Sequence, residues 1–550
     1  MSRHRNVKCV VGLMHYHGPC AAAISLATAS AAALAACGAG AAPPLPPGVL
    51  TGANDSLGHR LRKPDFPTPT ETRRVAVAIV GGGIGGLSAA WKLARAGCDD
   101  YLLLEMENEA GGNSRAGRNA VSAHPLGAHY LPLPPREARA TRELLAELGV
   151  LRGPVDAAHP EYDERYLCHA PQERLYTNGY WQEGLWPTLG VPAAERAQYA
   201  RFQDAIHELR QRRDGAGRRP FALPLALSGR DPKLLALDRT NMRDWLLAQG
   251  YTAPGLHWLA DYACRDDYGT AAERTSAWAG LHYFACRDGE GQVLTAPEGN
   301  AWLARGLARA SAGRVQADAL AFRVEQRGKD WHCDIYLAAE SRSIRVVARE
   351  LIWAAPLFLL PHVFAAPRPE WRAALAGAEY APWIVANLTL SSAPQTRAGQ
   401  PLAWDNVLHD SAALGYVVAT HQQLRYAPGP TVITWYRALH EETPYRQRRL
   451  LLDHAGWARE ALDDLARPHP EIRELVTRLD VHRHAHAMVR PLPGRLWGGA
   501  RQVFEQGRAG LQFAHADVSG LSLFEEANHR GVLAAERTLR RLGVSFASSL

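Results

Sequence analysis

Five glycines and one isoleucine, Gly81-Gly82-Gly83-Ile84-Gly85-Gly86, stand between an apolar run, Val75-Ala-Val-Ala-Ile-Val80, and a helix-like stretch, Leu87 to Ala96, that Gly97 closes. Glycines at 81, 83 and 86 have the Gly-x-Gly-x-x-Gly spacing that receives a pyrophosphate. Gly81 permits the tight turn out of the strand. Gly83 lets a phosphate approach the backbone, and Gly86 lets helix and strand pack closely. Ile84 and Gly85 complete the first helical turn, whose free N–H groups and partial positive charge attract an anion. A second buried strand, Tyr101 to Leu104, ends in Glu105, nineteen residues after Gly86. A carboxylate there can accept hydrogen bonds from both hydroxyls of a ribose. The full unit points to dinucleotide binding.

Such chemistry needs a strand–turn–helix–strand unit inside a larger sheet. A short, continuously apolar run reads as a parallel strand buried on both faces. The chain has 550 residues, room for two or more domains. It is 47% hydrophobic and 21% charged, with 48 Gly and 36 Pro, which excludes collagen-like, coiled-coil and mostly disordered proteins. Beyond the first forty residues no uncharged apolar stretch is long enough for a polytopic membrane protein. Helical spacing recurs over Glu137 to Leu151 and Ala194 to Arg213. Strand-like runs follow at Trp383 to Leu390, Gly415 to Ala419 and Thr431 to Tyr436.

After Glu105 the chain reads Gly111-Gly112-Asn113-Ser114-Arg115, then Leu126-Gly127-Ala128-His129-Tyr130. Here it resembles the FAD-dependent amine oxidase superfamily: monoamine and polyamine oxidases, amino-acid oxidases, protoporphyrinogen oxidase and phytoene desaturases. In that family a Gly-Gly segment wraps the cofactor and the second segment passes near the flavin ring. Further likenesses are Thr295 to Asn300, Ile352 to Pro356, and the closing strand Gly510 to Asp517 with the helix over Glu525 to Arg541. The resemblance covers about residues 73–545. It implies FAD as cofactor, held by Gly81, Gly83, Ile84, Gly85, Gly86, Glu105, Gly111, Gly112, Asn113, Arg115, Gly127, Ala128 and His129. Asp517 would bind the ribityl chain. Glu526 and Ala527 stand where the family has Gly-Ala, at a helix N-terminus aimed at the flavin. His515, on the same strand as Asp517, reads as structural.

The implied fold is α/β: a Rossmann-like FAD-binding domain of the two-dinucleotide-binding type, interrupted by an α+β substrate domain. The first would comprise 73–135 with 297–365 and 500–545, and the second 136–296 with 366–499. The implied reaction is hydride transfer from an organic substrate, most readily an amine, to flavin N5. Oxygen or a membrane electron carrier would reoxidise the flavin. Two other readings stand beside it: a desaturase of hydrophobic, isoprenoid-like substrates, and a non-catalytic protein that keeps the fold.

Many amine-oxidising relatives add a Lys near N5, in one branch after a Pro-Glu-Trp segment. Here Pro369-Glu370-Trp371 is followed by Arg372, which cannot act as a neutral base. Only five of 62 basic residues are Lys (8, 63, 92, 233 and 329), and of these Lys233 is the one that could reach a flavin. Tyr130, Lys233, Arg372 and His486 are therefore the catalytic candidates. His482-x-His484-x-His486 alternates, so the three rings should share one strand face. Without other ligands nearby the sequence predicts no metal site, and a structural ladder or a substrate contact is the expectation. Tyr130, Trp404, Tyr416 and Trp497 are candidate pocket aromatics.

Residues 1–37 read as an export signal: Arg3, Arg5 and Lys8, an Ala-rich stretch from Cys20, then Leu34-Ala-Ala-Cys37-Gly. The ending resembles a bacterial lipoprotein signal, with Cys37 as the lipidated residue; a plain signal peptide is the alternative. The expected location is the cell envelope or periplasm, with a Pro-rich tether over 38–72. Loss of the signal takes the formal charge from +7 to +4, which weakens the case for a nucleic-acid partner to a mildly basic, Arg-rich surface, and no such partner is expected. Five Cys remain (98, 168, 264, 286 and 333); a 264–286 bridge is open, and free thiols are the expectation.

Overall fold

In the computed structural model, residues 44–287, 291–423, 429–443 and 445–550 are described. The signal segment and Cys37 lie outside them. A seven-stranded sheet carries the dinucleotide motif. Its centre is β2 (Glu71–Val80), flanked in parallel by β3 (Tyr101–Leu104) and β9 (Arg342–Trp353). β6 (Val315–Gln316) extends it beyond β3, and β15 (Leu511–Phe513) pairs with β9 in parallel. β7 (Ala319–Arg327) and β8 (Asp330–Leu337) form an antiparallel hairpin on β9. Val77, Ile79, Leu103 and Ile352 are fully buried, as the unbroken apolar runs require. Helix α1 (Ile84–Arg95) and the closing helix α4 (Phe524–Leu542) cross on one face. Gly531 makes that approach possible, because a Cβ there would lie 2.2 Å from the Gly85 carbonyl oxygen.

The second sheet has eight strands. β14 (Val476–Val489), β10 (Tyr380–Leu390), β13 (Thr431–Ala438), β12 (Gly415–Val418) and β11 (Asp405–Leu408) pair antiparallel with one another in that order. β4 (Glu173–Thr177) pairs in parallel with β11 and carries the hairpin to β5 (Tyr180–Glu183). Helices α2 (Pro254–Tyr268) and α3 (Ala277–Ala285) lie within the first insert, and the expected helix 194–213 is found at Ala193–Gln211. The helix expected over 137–151 is shorter, Arg139–Glu147, ending at Gly149 in a left-handed turn. Residues 46–550 make one compact unit, because the chain passes repeatedly between the sheets.

The segment expected as a free tether is instead packed from residue 46 on. β1 (Leu50–Gly52) adds to the edge of the eight-stranded sheet beside Val481–Arg483. Leu57 and Leu61 enter the core, and Phe66 stacks on Phe322 with ring centroids 4.4 Å apart. Prolines here mark an extended strap that buries Leu57 and Leu61 and packs a half-buried Phe66, which the composition alone did not reveal. No helix among the described residues is long and apolar enough to cross a membrane. The five cysteines outside the signal are free thiols, so no 264–286 bridge forms.

Candidate functional site

The cradle is built by backbone. Gly81 leaves β2 at φ 104° and accepts no side chain, since a Cβ would meet the Ala354 backbone at 2.7 Å. Cβ atoms on Gly85 and Gly86 would lie 1.9 and 1.8 Å from the carbonyl oxygens of Ala514 and Gly81. These glycines are therefore required by the fold itself. Gly83 is different. It caps α1 with ordinary extended backbone (φ −70°, ψ −175°) and brings no side-chain cap. A Cβ there would find only the Gly112 Cα, at 4.0 Å. Nothing inside the protein requires glycine at 83, so the open space and the uncapped first-turn N–H groups of α1 fit a phosphate.

Glu105 ends β3 beside this turn, buried. Its two oxygens accept the N–H groups of Gly82 (2.7 Å) and Glu107 (2.8 Å), leaving further lone pairs for ribose hydroxyls. Burial raises its pKa more than those two N–H groups lower it. The Gly111 N–H donates to the Gly82 carbonyl (2.8 Å), which brings Gly112 against Gly83. Arg115 pairs with Glu107 at 3.3 Å, and its Nε is buried without a partner among the described residues. The residues present thus fit a dinucleotide: an open glycine, a free helix terminus, a ribose-facing carboxylate and an orphaned guanidinium donor. Asn113 donates from its side chain to the Ala487 carbonyl, and its own carbonyl accepts the Ala128 N–H.

That last bond leads from the cradle into a chamber. The 127–130 segment is gripped on several sides: Thr295 Oγ1 donates to the His129 carbonyl (3.0 Å) and Asn300 Nδ2 to the Tyr130 carbonyl (2.8 Å). His129 stacks on Tyr436 (centroids 4.3 Å, 24°), and Tyr130 meets Trp404 edge-on at 5.7 Å. Tyr130 donates its hydroxyl to Asp266 Oδ2 at 3.0 Å. The cavity is lined by His129, Tyr130, Tyr262, Asp266, Asp405, Tyr416 and Tyr436. Burial holds the His129 imidazole neutral, with its pKa pushed down to about 3.

The chamber is unusually acidic for its depth. Asp405 and Glu173 are direct register partners on adjacent parallel strands, so their side chains share a face. Burial and the mutual proximity of carboxylates raise Asp405 well above the usual range, and burial raises Glu173. Burial also pushes Asp266 up to about 6 and its neighbour Asp267 up to about 7, although Arg287 opposes both shifts. Arg287 itself lies 3.5 Å from Glu525 at the start of α4. A buried, unpaired carboxylate costs several kcal/mol. Asp266 and Asp405, half-buried on one chamber wall, make it a receptor for positive charge, and aromatic faces on the same walls add cation–π attraction.

Several sequence expectations are corrected here. Lys233 and Arg372 are exposed on Pro232–Leu235 and Pro369–Leu375 and do not line the chamber. Lys92 is buried elsewhere, bonded to the Ala547 carbonyl and Ser549 and paired with Glu536, so it pins the C-terminal tail. The histidine ladder is broken: His482 and His484 are buried with centroids 4.6 Å apart, but an irregularity opposite Ala381–Trp383 turns His486 out onto Phe358. His484 Nε2 lies 2.7 Å from the Leu126 carbonyl oxygen. No group of three or more His, Cys, Asp or Glu among the described residues is arranged for a metal ion.

Glu526 is buried; its Oε1 accepts the Leu225 N–H, tying α4 to the first insert, while its Oε2 has no partner among the described residues. Ala527 lies beside Gly85, at the cradle. Asp517 accepts the Leu357 N–H (3.0 Å) and the Tyr380 hydroxyl (2.8 Å) and lies 3.1 Å from His515 Nδ1. Burial opposes its charge, but these partners outweigh it and hold the pKa low. Trp497 packs on Trp278, away from the chamber. Asp266, Asp405, Glu173, Tyr262 and Tyr436 were missed: they come from separate segments, and no local spacing marks them.

A family model for NAD(P)-binding Rossmann-like domains matches residues 79–148. No curated protein matches the chain. Among solved structures, wild-type putrescine oxidase bound to putrescine is similar at 16% identity and a TM-score of 0.64, covering 86% of this chain and 100% of that one. Cyclohexylamine oxidase from Brevibacterium oxydans IH-35A gives 16% and 0.62 over 85% and 99%. A conjugated-linoleic-acid-producing fatty acid isomerase from P. acnes gives 15% and 0.58 over 85% and 98%. The class that this fold defines is a Rossmann-type dinucleotide-binding architecture whose chain also builds a second, eight-stranded sheet. More particularly, the fold is the one that these two amine oxidases and the isomerase share.

Proposed function

We propose that this chain is an FAD-dependent oxidoreductase that oxidises a cationic amine. The observation that carries the reading is the continuity of the glycine cradle, through the Ala128–Asn113 hydrogen bond, with an aromatic chamber walled by Asp266 and Asp405, the latter in register with Glu173. Gly83, Glu105, Arg115 and the first turn of α1 would hold the cofactor's pyrophosphate and ribose. When bound, FAD supplies a hydride acceptor. The chain's own residues bind the ammonium group, orient the α-carbon between aromatic faces and exclude water. The shared fold with an oxidase bound to putrescine supports the same reading. Oxygen or a membrane carrier serves as electron acceptor. The half-buried carboxylates on the chamber wall disfavour the alternative of an isoprenoid-like substrate, since a hydrophobic ligand would desolvate them without pairing them. Residues 1–37 support export to the cell envelope or periplasm, with Cys37 as the lipid-bearing residue.

The test is to supply FAD to purified protein and follow the visible flavin band under anaerobic conditions. Di- and polyamines should bleach it, while amino acids and lipophilic dienes should not. Protein that takes up no FAD would end the enzyme reading. Bleaching by dienes alone would replace the amine reading with the desaturase one.

A further inference from the structure

We infer that Asp266, steadied by the Tyr130 hydroxyl, accepts the proton that an ammonium substrate must lose before oxidation. The inference rests on the amine reading above and adds a residue role to it. An ammonium nitrogen has no lone pair to stabilise positive charge developing at the α-carbon as hydride leaves. A neutral amine does, so a base must act first. The described lysines cannot serve: Lys63, Lys233 and Lys329 are exposed and Lys92 is committed to the C-terminal tail.

Asp266 is the acid on the chamber wall with a fixed hydroxyl partner, at 3.0 Å from Tyr130. The groups around it separate by role. On its own helix, Arg265 is paired with Asp261 at 2.9 Å, and Asp267 interacts with Arg287 and Glu525. From β4 and β11, Glu173 and Asp405 repel one another and Asp266. From α3 and the segment after it, Tyr283 contributes a phenol and Arg287 a positive charge. The phenols of Tyr130, Tyr262 and Tyr436 are raised by burial and stay protonated. His129 is neutral and stacked.

The step balances simply. One N–H bond of the ammonium breaks, an O–H bond forms on Asp266, and the nitrogen keeps the electron pair. A cation and an anion become two neutral groups, which a water-poor chamber favours. The proton returns to solvent when product leaves. The raised affinity of Asp266 for protons supports this role, and the Tyr130 hydrogen bond keeps the carboxylate available near neutrality.

The experiment uses the FAD-loaded full chain with putrescine as probe. Asp266→Asn should keep the flavin spectrum and lose about 100-fold or more in kcat/KM at neutral pH. The acid limb of the wild-type profile, near pH 6, should vanish in that variant and move to higher pH in Tyr130→Phe. Asp266→Glu should restore part of the rate. Independently of turnover, carbon NMR of labelled aspartate should show a carboxyl titrating near pH 6 that Asp266→Asn removes. An Asp266→Asn rate within threefold of wild type, or an acid limb unmoved by both variants, would overturn the assignment. Wild-type protein that binds FAD but oxidises no amine would instead overturn the proposed function, before any variant is made.

Discussion

The cradle and the chamber are built on opposite principles. The cradle is backbone: glycines, a helix terminus and a single carboxylate already satisfied by two N–H groups. The chamber is side chain: stacked rings and the half-buried carboxylates Asp266 and Asp405, which desolvation pushes toward neutrality. The cradle leaves donors open, the first-turn N–H groups of α1 and Arg115 Nε, whereas the chamber gathers carboxylates that a cation would relieve. Variants in one should therefore spare the property set by the other.

The largest effect is expected at Gly85. A Val there places a Cβ against the Ala514 carbonyl oxygen, in the contact that joins α1 to the closing strand, so the protein should fail to accumulate in soluble form. Soluble, normally melting Gly85→Val would show that α1 is not packed as described. Next, Asp405→Asn should raise KM for a diamine roughly tenfold, the order expected for loss of one buried ionic contact, while FAD affinity stays within twofold. A comparable loss of FAD affinity would break the separation between the two regions.

A smaller effect, of opposite sign, is expected at Asp267, whose Oδ2 is buried without a partner among the described residues. Its folded-state pKa, raised to about 7, exceeds the ordinary aspartate value, so the folded state holds a proton that the unfolded state has released. Stability therefore falls as pH rises between about 4 and 7. Asp267→Asn should remove this slope and stabilise the protein at pH 8 by roughly 1–3 kcal/mol, read as a higher Tm. A lower Tm at pH 8 would show that the charge is compensated. The smallest effect belongs to Lys233→Ala and Arg372→Ala, which should leave FAD affinity and kcat/KM within twofold, because both side chains are exposed.

The same contrast explains what could be read in advance. Gly81, Gly85 and Gly86 are legible because a backbone requirement excludes every side chain but hydrogen, and the spacing is local. Both sheets were foreshadowed by continuous apolar runs such as Val75–Val80 and Trp383–Leu390. The chamber was not, apart from His129, Tyr130, Trp404 and Tyr416. Its acids come from β4, α2 and β11, and they meet only when Asp405 and Glu173 fall into register. Lys scarcity did mark the absence of one base, but nothing local marked Asp266 as another. The strap misled for a related reason: Leu57, Leu61 and Phe66 bury their side chains in a surface made elsewhere in the chain.

Gly83 offers the most direct test of the central claim, that the cradle exists to hold FAD before the chamber. Its backbone suits any residue, and a methyl group there meets nothing in the protein closer than 4.0 Å. The measurement is FAD affinity of Gly83→Ala beside the melting temperature of the flavin-free protein. The account predicts affinity weakened at least tenfold by obstruction of the pyrophosphate, with stability of the flavin-free form changed by no more than about 1 kcal/mol. Unchanged FAD binding by Gly83→Ala would contradict it.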